Sequence, residues 1–170
     1  MKRLGALLLL AAGAATAHAT VPGNWVRGPS APAAVTASGG GLHPNMPVCR
    51  GRLDNGMHPG KLWAGSCNIG WGGVTKYVKD YELLVGRYTW VTATVDGKPA
   101  NAVDGGSAGD AAGHVRLGVC EVFNGGDASW HPGKFYAGKC NYAWGGSDGD
   151  HLGKEIAVVP NGNVRILVAM

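Results

Sequence analysis

One sixteen-residue phrase occurs twice in this chain. His58-Pro59-Gly60-Lys61 runs on through Ala64-Gly65, Cys67-Asn68 and Trp71-Gly72-Gly73, and His131-Pro132-Gly133-Lys134 runs on through Ala137-Gly138, Cys140-Asn141 and Trp144-Gly145-Gly146. Every identity sits at one separation, since 131 minus 58, 140 minus 67 and 144 minus 71 all give 73. The body of the protein is therefore two copies of one unit, and the fold must offer both copies the same surroundings.

The match extends both ways. The 73-residue offset also pairs Glu82 with Glu155, Leu83 with Ile156 and Val85 with Val158. Upstream, Val48-Cys49 pairs with Val119-Cys120 at offset 71, Ala34-Val35 with Ala102-Val103 at offset 68, and Trp25-Val26 with Trp90-Val91 at offset 65. Insertions fall between the shared blocks, as loops between fixed strands would. This places a first repeat at 25–88 and a second at 90–168, after a short extension at 20–24.

Residues 1–19 read as a cleaved signal peptide: Lys2-Arg3 precedes the apolar run 4–12, and Ala17-His18-Ala19 offers a small-residue cleavage site. The expected location is secreted or periplasmic. Nothing later is long and apolar enough to span a bilayer as a helix. Without Lys2 and Arg3 the basic count falls from 15 to 13 against 11 acidic side chains. These charges are well mixed, so a nucleic-acid partner is not expected.

Four cysteines, two per repeat at matching places, point to disulfides in an exported chain. Cys49 could pair with Cys67 and Cys120 with Cys140, or the bridges could cross between repeats; internal pairing gives each repeat the same bridge. Each such bridge would stabilise the fold by about 3 kcal/mol through loop closure. A zinc site would need His58 and His131 to join the cysteines, but Cys-x8-His-x8-Cys matches none of the usual zinc spacings. No metal or cofactor is expected.

Thirty glycines and nine prolines interrupt the chain too often for sustained helical periodicity, while short β-branched and aromatic runs recur between them. The fold class is all-β, a sandwich or prism of short antiparallel strands. Strands are expected at 81–85, 88–95, 115–122, 154–159 and 163–168. Pro160-Asn161-Gly162-Asn163 reads as a tight turn, and 104–113 as a flexible connector, since it is rich in glycine. Residues 27–47 are similarly loop-like.

His-Pro-Gly-Lys reads as a type II turn that presents Lys61 and Lys134 in a defined direction. A lysine offers three donors, which suits sugar oxygens. Trp63, replaced by Tyr136 in the second copy, would lie beside it as an aromatic face for a pyranose; Trp71 and Trp144 read as core residues beside glycines. His58 and His131 read as turn caps rather than acid–base groups. Glu82 and Glu155 are the carboxylates that recur, and a hydrolytic pair would need them at catalytic separation. Asp148-Gly149-Asp150 lacks the rest of a calcium loop.

The order of these elements resembles the DM9 repeat, found in tandem in invertebrate lectins and at the N-terminus of natterin-like toxins. The matching residues are Ala34-Val35 and Ala102-Val103, Val48-Cys49-Arg50-Gly51, the two Pro-Gly-Lys triplets, the Trp-Gly-Gly pairs and Tyr81-Glu82-Leu83-Leu84-Val85. The resemblance implies two all-β repeats that exchange strands into one compact unit. It also implies mannose-type sugar binding in which the Pro-Gly-Lys lysine takes part, here Lys61 and Lys134, with an upstream aspartate for which Asp110 is the candidate. Val74-Thr75-Lys76 and Ser147-Asp148-Gly149 depart from the family's Gly-Lys-Glu run. The resulting expectation is a non-catalytic, secreted carbohydrate-binding protein whose partners are mannose-like glycans, one site per repeat; a homodimer is compatible with it. The alternatives are an envelope protein-interaction module and, with less support, a glycan hydrolase.

Overall fold

The computed structural model describes residues 20–29, 31–54, 56–94, 97–110, 113–145 and 153–170; the side chain of Asp110 and residues 1–19, expected to be a signal peptide, lie outside this description. Its regular elements are fourteen strands: β1 (Val21–Pro22), β2 (Trp25–Arg27), β3 (Val48–Leu53), β4 (Gly56–Trp63), β5 (Ser66–Trp71), β6 (Val74–Val78), β7 (Tyr81–Leu84), β8 (Tyr88–Thr92), β9 (Val103–Asp110), β10 (Gly113–Asn124), β11 (Ser129–Tyr136), β12 (Lys139–Trp144), β13 (Lys154–Val158) and β14 (Val164–Ala169). All belong to one hydrogen-bonded network running β1-β9-β10-β11-β12-β13-β6-β5-β4-β3-β7-β2, with β14 branching from β10 and β8 pairing β14. The protein is all-β, and all five strands expected from the sequence are present within a few residues of their expected bounds.

The pairing repeats as the sequence does. The ladder β2-β7-β3-β4-β5-β6 is matched by β8-β14-β10-β11-β12-β13. Val48 faces Lys61 and Val119 faces Lys134; Trp25 faces Leu84 and Trp90 faces Leu167. Register also corrects the downstream alignment. Trp71 pairs Val74 and Gly70 pairs Thr75, whereas Trp144 pairs Lys154 and Ala143 pairs Glu155. Glu155 therefore stands where the first repeat has Thr75. Glu82, opposite Arg50, corresponds to Arg165 opposite Glu121. The second repeat is longer between β12 and β13, so an ungapped match carried past Trp144 pairs the wrong strands.

His-Pro-Gly-Lys is not a turn. It lies inside β4 and again inside β11. The Leu62 N–H donates to the Pro47 carbonyl, so bonded pairs of this antiparallel ladder alternate to Gly60 opposite Cys49, and Pro59 opposite Arg50 is not asked for an N–H. Glycine is required for room: a Cβ on Gly60 would land on the Asn68 carbonyl oxygen, and one on Gly133 on that of Asn141. The turns are elsewhere in the phrase. Ala64-Gly65, Ala137-Gly138 and Gly72-Gly73 each have two positive φ values, from 48° to 83°, and close two-residue hairpins of type I′.

Two loop expectations also change. The glycine-rich segment from Asp104 is not a connector but most of β9, and its glycines allow close packing: a Cβ on Gly105 would come within 2.7 Å of Pro59 Cγ. That contact, the Met57–Ser107 bridge and the Lys154–Val74 bridge join strands of one repeat to strands of the other. Residues 160–163 link β13 to β14, which do not pair with each other, so this is a crossover and not a hairpin.

The core has three parts. The first repeat's cluster holds Cys49, Cys67, Ile69 and Leu83, and the second repeat's holds the equivalents Cys120, Cys140, Tyr142 and Ile166. Each surrounds an intra-repeat disulfide, Cys49–Cys67 or Cys120–Cys140. Between them a shared cluster gathers equivalent residues of both repeats: Val48 and Val119, Leu84 and Leu167, Trp25 and Trp90. The Trp25 indole donates to the Asp104 carbonyl and the Trp90 indole to that of Thr36, each reaching into the other repeat. Neither repeat can bury this central face alone.

Candidate functional site

Because β4 and β11 carry the two lysines on the faces where the repeats meet, each lysine touches side chains or backbone of both repeats. Lys61 is 6% exposed and Lys134 2%, so these ammonium groups are not displayed on turns but held at the floors of two cavities. The first, about 370 Å3, is lined by Lys61, Trp63 and Asn68 of the first repeat, by His131, Trp144 and Gly145 of the second, and by His43 and Met46 of the loop before β3. The second, about 430 Å3, is lined by Lys134, Tyr136, Asn141 and Glu155 with Trp71 and Gly72 of the other repeat. Lysine, aromatic, asparagine, tryptophan and glycine recur in equivalent places. Of the residues expected to form a site, Lys61 and Trp63 meet in one cavity and Lys134 and Tyr136 in the other, with Trp63 and Tyr136 each 40% exposed. The Asp110 side chain lies outside the described residues.

Trp144 packs against the second repeat's core cluster, as expected, whereas Trp71 belongs to no core cluster among the described residues. Both are half-buried cavity walls, with the Lys134 ammonium 4.7 Å from the Trp71 ring centre and the Lys61 ammonium 5.8 Å from that of Trp144. His58 and His131 cap no turn: they are buried strand residues, edge-on to Trp71 at 4.5 Å and to Trp144 at 5.1 Å.

The polar contacts break the symmetry. Lys61 Nζ donates to His131 Nδ1 at 2.8 Å, and His131 Nε2 meets Asp127 Oδ2 at 2.9 Å. An ammonium has only donors, so Nδ1 accepts and the imidazole proton sits on Nε2, donating to Asp127. His131 is thus neutral, and its contact with Asp127 is a hydrogen bond and not an ion pair. Burial, then the Lys61 charge, lowers its pKa to about 4. Burial lowers that of Lys61 to about 8, opposed by the Asp127 charge. In the other cavity Lys134 donates to the Gly70 carbonyl and lies 3.0 Å from Glu155 Oε1. Its counterpart histidine, His58, is left with Nδ1 unpartnered among the described residues, and burial followed by the Lys134 charge lowers its pKa to about 4.

Glu155 makes the difference. Thr75, its equivalent, donates to the Lys154 carbonyl and brings no carboxylate to Lys61. The aspartates of both sites escaped notice although they obey the repeat spacing: Asp54 and Asp127 are 73 apart, each four residues before its histidine. Asp127 holds His131, while Asp54 accepts the Trp71 indole N–H at 2.8 Å.

The DM9 repeat family model matches residues 43–127, half of the chain. The chain belongs to the DM9 repeat family. The matched DM9 segment opens on His43 and closes on Asp127, whose side chains lie 3.9 Å apart beside the Lys61 cavity. Among solved structures this DM9 protein is similar to the nematode sperm cell motility protein MFP2B, at 15% sequence identity and a TM-score of 0.51 over 86% of this chain. At that identity the likeness is one of fold. The match covers 41% of the MFP2B chain, so this DM9 unit corresponds to under half of it. No curated protein matches the chain.

Proposed function

We propose that this DM9 protein is a non-catalytic carbohydrate-binding protein that works outside the cytoplasm, gripping glycans, mannose-type sugars among them, in the two seam cavities. One observation carries the reading: each cavity sets a fixed lysine, held by strands from both repeats, beside open aromatic faces. A pyranose offers an apolar face to a ring such as Trp63 or Tyr136 and hydroxyl oxygens to a donor such as Lys61 or Lys134. The leader-like residues 1–19 and the two disulfides support an exported protein. Glu155 is the one carboxylate among the described lining residues of these cavities, which argues against the two-carboxylate chemistry of a glycan hydrolase. Two weak sites on one scaffold gain avidity on a multivalent surface.

The test is a glycan array probed with the mature, oxidised protein and with the Lys61→Ala, Lys134→Ala double variant. Binding by the wild type that the folded variant loses supports the reading. Silence from the wild type would sink it and favour a protein-interaction module.

A further inference from the structure

The two cavities share a frame but present different hydrogen-bonding chemistry. At Lys134 the ammonium is neutralised in contact by Glu155, and two of its three donors go to Glu155 and the Gly70 carbonyl. Asn141 turns its amide nitrogen toward the Lys139 carbonyl at 3.4 Å. This floor both donates and accepts, as a neutral hydroxyl requires. At Lys61, one donor goes to the neutral His131, and the nearest carboxylate, Asp127, is held behind that imidazole. The Asn68 amide oxygen is occupied by the Ser66 hydroxyl at 2.9 Å, which leaves the amide N–H groups for the cavity. That floor offers donors and positive charge, and its walls are Trp63 and Trp144.

We propose that the Lys61 cavity takes a sugar bearing a carboxylate, a hexuronic acid residue, while the Lys134 cavity takes a neutral sugar. This deepens the carbohydrate-binding reading and rests on it. A carboxylate supplies only acceptors, which matches an ammonium and an amide N–H2, and charge-assisted bonds of this kind are about twice as strong as neutral ones. At Lys134 the same anion would meet Glu155. The division follows from a single side chain, since the strand position that holds Glu155 in the second repeat holds Thr75 in the first.

The titratable groups facing Lys61 are His131 of β11, Asp127 of the β10–β11 connection and His43 of the loop before β3. Calorimetric titration at pH 7 with methyl glucuronide, its methyl ester, methyl α-mannoside and acetate separates the alternatives. The glucuronide is expected to bind one site per chain at least tenfold tighter than its uncharged ester. Lys61→Met abolishes that preference and Lys134→Met leaves it. Raising the pH from 7 to 9, through the value near 8 of Lys61, weakens the glucuronide more than the mannoside, because the loss of the Lys61 charge costs the anion most. Glu155→Gln, which removes the charge facing Lys134, raises glucuronide stoichiometry from one to two. Equal binding of acid and ester by the wild type overturns the inference without any variant having to fold. So does acetate that competes as well as the glucuronide, which would mark a bare anion site. If the mannoside still binds in either case, the carbohydrate reading survives; if no saccharide binds, both fall.

Discussion

The two repeats are built to one plan, yet their ion pairs are arranged in opposite senses. In the first, Arg50 of β3 meets Glu82 of β7 at 2.6 Å, and Arg50 lies 4.5 Å from the Trp25 ring centre. In the second the signs are exchanged: Glu121 of β10 meets Arg165 of β14, and Arg165 lies 4.0 Å from Trp130. The seam shows the same pattern, with Lys61 on a neutral imidazole and Lys134 on a carboxylate. Duplication has kept the backbone ladder, the disulfides and the lysine positions. What differs is the partner each charge finds, and partners are set by single side chains on neighbouring strands. Architecture and recognition are thus separable in this fold, and the repeats can be tested against each other.

The largest contrast to break is acid sensitivity. His58 and His131 titrate near 4 in the folded protein because burial disfavours their charged forms, whereas an unfolded histidine titrates near 6.5. The unfolded chain therefore binds more protons between those values. The stability that neutral histidines contribute is present above pH 6.5 and is lost as the pH falls toward 4. Two and a half units correspond to about 3 kcal/mol per histidine. Glu121 opposes part of this loss, because burial raises its pKa and the folded form gains relative stability as it is protonated. Urea denaturation from pH 7 to pH 4 should show the midpoint falling steeply in the wild type. His58→Gln and His131→Gln should each remove about half of the fall. If His131→Gln alone removes all of it, the buried His58 is not the equal of its counterpart.

Much of the plan is legible in the sequence, and the failures have physical causes. Repetition at fixed offsets located equivalent strands, and two cysteines per copy fit the intra-repeat bridges. His-Pro-Gly-Lys reads as a turn because proline and glycine are strong turn formers in isolation. Here their meaning is set by a neighbour: Pro59 sits where no N–H is needed, and Gly60 where the Asn68 carbonyl leaves no space for a Cβ. The glycines of β9 are the same case. The seam is not legible at all, since Lys61 to His131 and Lys134 to the Gly70 carbonyl are contacts between repeats. The Asp54 and Asp127 spacing is legible too, but matching Glu82 to Glu155 joins carboxylates of non-equivalent strands and hides that only Glu155 faces a lysine.

The exchanged ion pairs give the next contrast. Glu121 is fully buried, accepts the Ser38 N–H at 2.8 Å and the Ser38 hydroxyl at 2.6 Å, and faces an Arg165 that is 35% exposed. Truncation to alanine strands the Ser38 N–H but leaves Arg165 partly hydrated, so the cost should be about 2 kcal/mol, below that of a fully enclosed pair. Glu82 and Arg50 both reach water, and Glu82→Ala should cost less than about 1 kcal/mol. Paired denaturation curves decide the matter. Equal losses would mean that Ser38, and with it the loop before β3, contributes nothing to holding the second repeat's carboxylate.

The smallest effect tests where the repeats should not differ. Ala64 and Ala137 occupy the first central position of equivalent type I′ hairpins, at φ of 49° and 48°. An alanine there is strained, because its Cβ crowds the backbone in the left-handed region, while asparagine adopts that region readily. Neither turn touches the seam cavities' polar floors, so the substitution acts on local strain alone. Ala64→Asn and Ala137→Asn should each stabilise the protein by about 0.5 kcal/mol, a rise in melting temperature of a few degrees at most, and the two gains should add because the turns lie in separate repeats. A gain at one turn and a loss at the other would show that the surroundings of the hairpins have diverged along with the charges. Equal gains would confine the divergence to side-chain partners and leave the duplicated backbone intact.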